Sequence, residues 1–188
     1  MSSETWLAVG AGPTAETGLA RARRDWPDAT TVATNSAAML LRPDYYFISD
    51  MTACRRWGII ATAYQQLGTK LVTLARQTEA LKNRGLEAYD YFVNMPEFCY
   101  SGIFCVIWAA RQAKRVCLIG HDGYRSSPDK RFVDYFDDRL GTANQGRQTR
   151  DVIQPRLQEI ALSFPDVEFV QYLQPIYKIE APNWTVKP

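Results

Sequence analysis

Histidine is almost missing from this chain: His121 is the single one among 188 residues. Cysteine is also scarce, with Cys54, Cys99, Cys105 and Cys117 and no C-x-x-C pair. A zinc centre built on clustered Cys and His therefore has no sequence support. Cys105 and Cys117 lie inside apolar segments and read as reduced, packed thiols, so a cytoplasmic location is expected. No apolar run approaches the roughly 20 residues that a membrane span needs. The start, Met1-Ser2-Ser3-Glu4, has neither the basic opening nor the apolar middle of a signal peptide. Charge of one sign is lacking too. A formal net charge of +2 is too small to argue for a nucleic-acid groove or a membrane surface. Basic residues exceed acidic ones between Arg111 and Arg156, but Asp129, Asp134, Asp137 and Asp138 are interleaved with them, as on a solvated face.

What is present is ordinary for a globular protein: 46% hydrophobic and 22% charged residues, enough for one core. No repeat, low-complexity tract or linker interrupts the chain, so residues 1–188 read as a single domain. Trp6-Leu7-Ala8-Val9 reads as a buried strand by length and flanks. A helix from Glu16 to Arg24 follows and stops at Pro27-Asp28. Thr30 to Thr34 is β-branched and reads as a strand, and Asn35-Ser36-Ala37 can cap a short helix. Tyr45 to Ser49 is a third strand, Ala53 to Leu67 a helix and Lys70 to Ala75 a fourth strand. Residues 76–98 are the least readable and form a candidate lid or small insertion. Ile103, Val106, Ile107 and Ala110 recur at helical spacing, which predicts an amphipathic helix from Ser101 to Ala113. Arg115 to Ile119 is a central strand, Asp151 to Ser163 the last long helix, and Val167 to Tyr172 the last strand. Between them, 124–146 is polar, aromatic and longer than a usual connection, a candidate flexible active-site loop.

Strands alternating with helices imply an α/β fold with a mostly parallel sheet covered on both faces. Ligands in such sheets bind beyond the carboxyl ends of the strands. Gly10, Asn35, Asp50 and Gly120 each follow a predicted strand and so converge on one edge. The turn Gly10-Ala11-Gly12-Pro13-Thr14 leads into a helix, a pattern that suits a phosphate but also serves as plain turn chemistry. Ser101 reads either as a helix cap or as a phosphate contact, with Gly102 allowing close approach. Asp50 and Asp122 are each a cap or a ligand-binding carboxylate. His121, between Gly120 and Asp122, is a structural imidazole or a base titrating near neutrality.

Gly10-Ala11-Gly12-Pro13-Thr14, Asn35, Ser101-Gly102 and Gly120-x-Asp122-x-Tyr124, in that order, resemble the bacterial sialyltransferases that use CMP-activated sialic acid. They also resemble the wider Rossmann-like relatives, the motility-accessory-factor and hydroxymethylpterin diphosphokinase-like proteins. The resemblance covers about two thirds of the chain, between Leu7 and Pro175 with the middle unaccounted for, and similar small proteins occur in phage genomes. It implies a single Rossmann-like domain in which Gly10, Gly12, Pro13, Thr14, Asn35, Ser101, Gly102 and Gly120 bind the nucleotide; Asp50, read from its place at a strand end, is a candidate ribose or metal contact beside them. It further implies that Tyr124 and Lys130 hold the departing phosphate, Lys130 standing where a second tyrosine is usual. Ala11 replaces the usual Asn of the first motif. The usual general-base histidine would fall in 141–146, which reads Gly-Thr-Ala-Asn-Gln-Gly; the acceptor's proton would then go to His121, Asp122 or water.

Three functions follow from this. The first is a sialyltransferase-like glycosyltransferase taking a CMP-linked sugar donor, with no metal. The second is a pterin-type diphosphokinase transferring diphosphate from ATP, with Mg²⁺ on Asp50 and Asp122. The third is a nucleotide-binding protein without turnover, such as a phage factor. A nucleotide or nucleotide-sugar is the expected partner, without nucleic acid or a membrane span, and a homo-oligomer is open.

Overall fold

The computed structural model describes residues 4–49, 51–92, 100–123 and 152–188, without the side chains of 51–57 and Phe92. Eight strands form one sheet: β1 Thr5–Val9, β2 Thr30–Thr34, β3 Tyr45–Ile48, β4 Lys70–Leu74, β5 Ala88–Phe92, β6 Arg115–Ile119, β7 Glu168–Tyr172 and β8 Trp184–Lys187. Their order is β5-β4-β3-β2-β1-β6-β7-β8, and every neighbouring pair runs parallel. The described helices are α1 Ala15–Asp25, α2 Met51–Gln66, α3 Thr78–Lys82, α4 Ser101–Ala110 and α5 Gln154–Ser163, with 3-10 turns at Asn35–Met39 and Ala75–Gln77.

Burial explains the sequence pattern. All five residues of β1 are buried, because a central parallel strand is covered on both faces and reads as a continuous apolar run rather than an alternation. Alternate residues feed two cores. Trp6, Ala8, Val32, Phe47, Val116 and Leu118 pack with α4 and α5, whereas Leu7, Val9, Ala33, Tyr46, Cys117 and Ile119 pack with α1 and the 35–39 turn. Helix α4 is less amphipathic than its spacing predicts: Phe104, Cys105, Trp108 and Ala109 are buried alongside Ile103, Val106 and Ala110. It is enclosed between the sheet and α5, which is where a helix apolar nearly all round belongs.

Two differences from the sequence reading have plain causes. The stretch read as a candidate lid or insertion continues the sheet over its described part: α3 leads into β5, which pairs with β4. Trp108 Nε1 ties this edge strand to α4 by donating to Asp90 Oδ2 at 3.0 Å. The strand β8 escapes sequence reading because three of its four residues are exposed. It is reached by an irregular crossover, 173–183, that buries Tyr177 against the α4 core.

Candidate functional site

From β1 the chain winds outward through β2 to β5, and from β6 it winds the other way to β8. The connections after β1 and β6 therefore lead in opposite directions along the sheet, and their shared edge is the switch point where open parallel sheets take their ligands. Gly10 and Gly120 meet there directly. Gly10 N–H donates to Ile119 O at 2.8 Å and Gly12 N–H to Gly120 O at 2.9 Å. Gly120 has φ +66°, and a Cβ on it would lie 2.5 Å from Gly10 O and 2.7 Å from the Ala15 Cβ. A Cβ on Gly12 would lie 2.3 Å from Asp122 Oδ2 and 2.4 Å from Gly120 O. The glycines in both motifs are thus explained by the close approach of two backbones.

Asp122 completes this junction. Its residue is 1% exposed, and its carboxylate accepts from Thr14 N at 3.0 Å and from Thr14 Oγ1 at 2.5 Å. Thr14, the N-cap of α1, makes no side-chain cap of its own on the helix; its N–H and hydroxyl instead bind the carboxylate from the other loop. Ala15 N–H donates to Gly12 O at 2.9 Å. The amides of Gly10, Gly12, Thr14 and Ala15 are accordingly all committed to protein acceptors, and Pro13, which is exposed, has none to offer. The Gly12 amide, which the resemblance assigns to a phosphate, is one of those committed.

The start of α4 lies against this junction. Ser49, just past β3, has its Oγ in hydrogen-bond contact with Ser101 Oγ. Gly102 lies over His121. The residue His121 is half-buried, but its Nε2 is sealed and has no hydrogen-bond partner. Burial pushes its pKa down from the usual 6.5 to about 4, only partly offset by a backbone contact from Ala8, so the imidazole is neutral at pH 7. It is a poor base there.

Asn35 sits at the end of β2 with φ +51°, a left-handed conformation that Asn tolerates better than most residues. Its carbonyl accepts from Tyr46 Oη at 3.0 Å, while its buried Oδ1 has no partner among the described residues. The neighbouring Thr34 is 2% exposed, and its Oγ1 is likewise unpartnered. Thr34 shares a sheet face with Val32, whose carbonyl lies 3.7 Å from Cys105 Sγ, one helical turn on from Ser101. Polar atoms left bare in a buried place cost stability and are few in native proteins.

Asp50, Tyr124 and Lys130 lie outside the described residues, as does 141–146. The structure thus brings Gly10, Gly12, Thr14, Gly120, His121, Asp122, Ser101 and Gly102 together, with Asn35 one strand away. Sequence reasoning missed Thr34 and Ser49, although each is a polar residue closing a predicted strand on the same edge as Asn35. It also missed the supports behind the 120–123 loop. Ile176 N–H donates to Asp122 O at 3.2 Å, and Tyr177 Oη lies 2.7 Å from His121 O and 2.9 Å from Gln171 Oε1, its one proton serving either. Burial raises the Tyr177 phenol well above its usual pKa, and the Asp122 charge adds to the rise. Nothing local in the sequence marks these residues. Among the described residues no cluster of His, Cys, Asp and Glu could hold a metal ion. No described helix is long and apolar enough to cross a membrane.

Among the described residues, an eight-stranded parallel sheet with helices on both faces and a switch point between β1 and β6 defines a single Rossmann-like α/β domain. Its fold is similar to that of the MAf glycosyltransferase from Magnetospirillum magneticum AMB-1, with a TM-score of 0.65 and 14% sequence identity. That likeness covers 100% of this chain and 34% of the other, so the chain spans about a third of the length of that protein. The sequence matches no protein-family profile and no curated protein. Of the relatives suggested by the motifs, the motility-accessory-factor proteins are the ones this fold likeness reaches; the diphosphokinase-like proteins and a phage origin have no counterpart in it.

Proposed function

We propose that this chain is the donor-binding domain of a glycosyltransferase that takes a nucleotide-activated sugar, of the CMP-linked kind. The observation that carries the reading is the meeting of the β1 and β6 loops at the switch point, faced by the start of α4 and edged by Thr34 Oγ1 and Asn35 Oδ1, which have no partner among the described residues. With the amides of the first turn committed, the α4 terminus at Ser101-Gly102 is the end suited to a phosphate, since helix N-termini favour anions. Asn35 and Thr34 offer polar contacts for the base or ribose. Tyr124 and Lys130 follow the 120–123 loop in sequence and would take the leaving phosphate, where each well-placed donor can contribute about 3–4 kcal/mol in the transition state. His121, neutral at pH 7, would orient rather than accept a proton, and the acceptor's proton would leave to water. No metal is required by this scheme.

A thermal-shift panel of CMP, UDP, GDP and ATP compounds, with and without Mg²⁺, tests the reading. Ligand at a hundredfold excess over its Kd should add about 2.7 kcal/mol of apparent stability. Metal-independent stabilisation by the cytidine nucleotide, with donor turnover lost in Tyr124→Phe and Lys130→Ala, is expected. Strict Mg²⁺ dependence with ATP, or no nucleotide effect at all, would reject it.

A second reading has its own support: the only histidine has its Nε2 sealed and is weakly basic. A domain without a competent base could bind a nucleotide without turning it over. Stoichiometric binding with unchanged donor recovered afterwards would favour this over transfer.

A further inference from the structure

We infer that Asp122 is a built-in anion that closes the α1 terminus to phosphate and so determines specificity in the crevice, restricting donors to those that need no phosphate there. This rests on the proposed nucleotide-binding reading and deepens it. In an open parallel sheet the turn between the first strand and its helix is the usual seat of a diphosphate, held by backbone N–H groups and the positive end of the helix. Here that seat is taken from within. The Asp122 carboxylate, 1% exposed, receives Thr14 N at 3.0 Å and Thr14 Oγ1 at 2.5 Å. The same carboxylate stands so close to Gly12 that a single added Cβ would fall 2.3 Å from Oδ2. Gly12 and Ala15 have spent their amides on Gly120 O and Gly12 O. An incoming phosphate would meet a fixed negative charge, with four amides of the turn already donated. The position of Asp122 is not incidental, because Ile176 N–H and Tyr177 Oη hold the carbonyls of Asp122 and His121 from behind. A diphosphate stretched from α4 to α1 is thereby rejected, and one phosphate at Ser101-Gly102 is accepted.

Asp122→Asn keeps the shape and the acceptor for Thr14 N–H but removes the charge. In backbone amide NMR titrations with inorganic diphosphate, the Thr14 and Ala15 signals of the unaltered protein should stay in place. In Asp122→Asn the same two signals should move, and the preference for CDP over CMP should rise at least tenfold. Movement of Thr14 and Ala15 in the unaltered protein, or an unchanged preference together with unmoved signals in Asp122→Asn, overturns the inference. Should Asp122→Asn fail to fold, the titration of the unaltered protein decides alone, movement at Thr14 and Ala15 refuting and stillness supporting. Failure of CMP to bind either form would count against the nucleotide reading, whereas the diphosphate titration would still judge the role of Asp122.

Discussion

Gly102 rests on the imidazole of His121: a Cβ at position 102 would come 3.1 Å from Cε1 and 3.2 Å from Nδ1. The contact joins the start of α4 to the loop after β6, two pieces that the sequence separates by most of a helix and a strand. It also explains why the ring is so well shielded from water.

That shielding makes stability depend on pH. The unfolded chain binds a proton at the usual 6.5, whereas the native imidazole resists protonation until about 4. The contribution is therefore intact above pH 6.5 and is lost as the pH falls toward 4, by up to about 3 kcal/mol. Urea midpoints at pH 7 and pH 4.5 should differ more for the unaltered protein than for His121→Asn. An equal drop in both would contradict the depressed pKa.

Gly12→Ala should destabilise by about 2–3 kcal/mol or more, because its Cβ would press on Asp122 and on backbone at Gly120 that cannot step aside. Gly58→Ala, inside α2 with nothing within 4 Å, should instead stabilise by about 0.5–1 kcal/mol. Chemical denaturation of the two variants side by side checks the contrast.

Trp108→Phe removes the donor that Asp90 Oδ2 receives at 3.0 Å, and with it the tie between α4 and the edge strand β5. A loss of about 1.5–3 kcal/mol is expected for a hydrogen bond to a charged acceptor at a buried tryptophan. Hydrogen exchange should show the loss concentrated at β5; a uniform effect would argue against a local tie.

Asn183 Nδ2 lies 3.0 Å from the carbonyl of Ala161 and 2.9 Å from those of Phe164 and Val167, its two N–H groups shared among them, closing the end of α5 and the turn into β7. Asn183→Ala should cost about 1–3 kcal/mol by leaving those acceptors without a partner. A melting temperature within error of the unaltered protein would show that water replaces the amide.

Burial raises the thiol pKa of Cys117 to about 12 and that of Cys105 further still. Neither should react with a thiol reagent in the native state, and both should label on unfolding. Mass mapping of the modified positions distinguishes the two states.

Much of the architecture was legible because buried parallel strands announce themselves. Thr30 to Thr34 and Arg115 to Ile119 are observed with the bounds their β-branched and apolar runs predict. Gly10 and Gly120 were legible as strand ends, since a residue that follows a strand of a parallel sheet has only one edge to occupy. The partners of Thr14 were not legible, because Asp122 is 108 positions away and only the crossing of β1 with β6 brings it near. The same holds for Tyr177 and Asn183, whose roles depend on tertiary placement in an irregular segment. The edge strand β8 was hidden by exposure: with Thr185, Val186 and Lys187 facing solvent, no hydrophobic pattern remained to read.

The pairing of β1 with β6 also has a consequence for how the domain comes into being. The first glycine turn is synthesised ahead of its counterpart, which arrives more than a hundred residues afterwards, and the 173–183 brace comes later again. Contacts so distant along the chain form slowly. A nascent polypeptide stalled before residue 115 would display helices and half a sheet but no receptacle for any cargo.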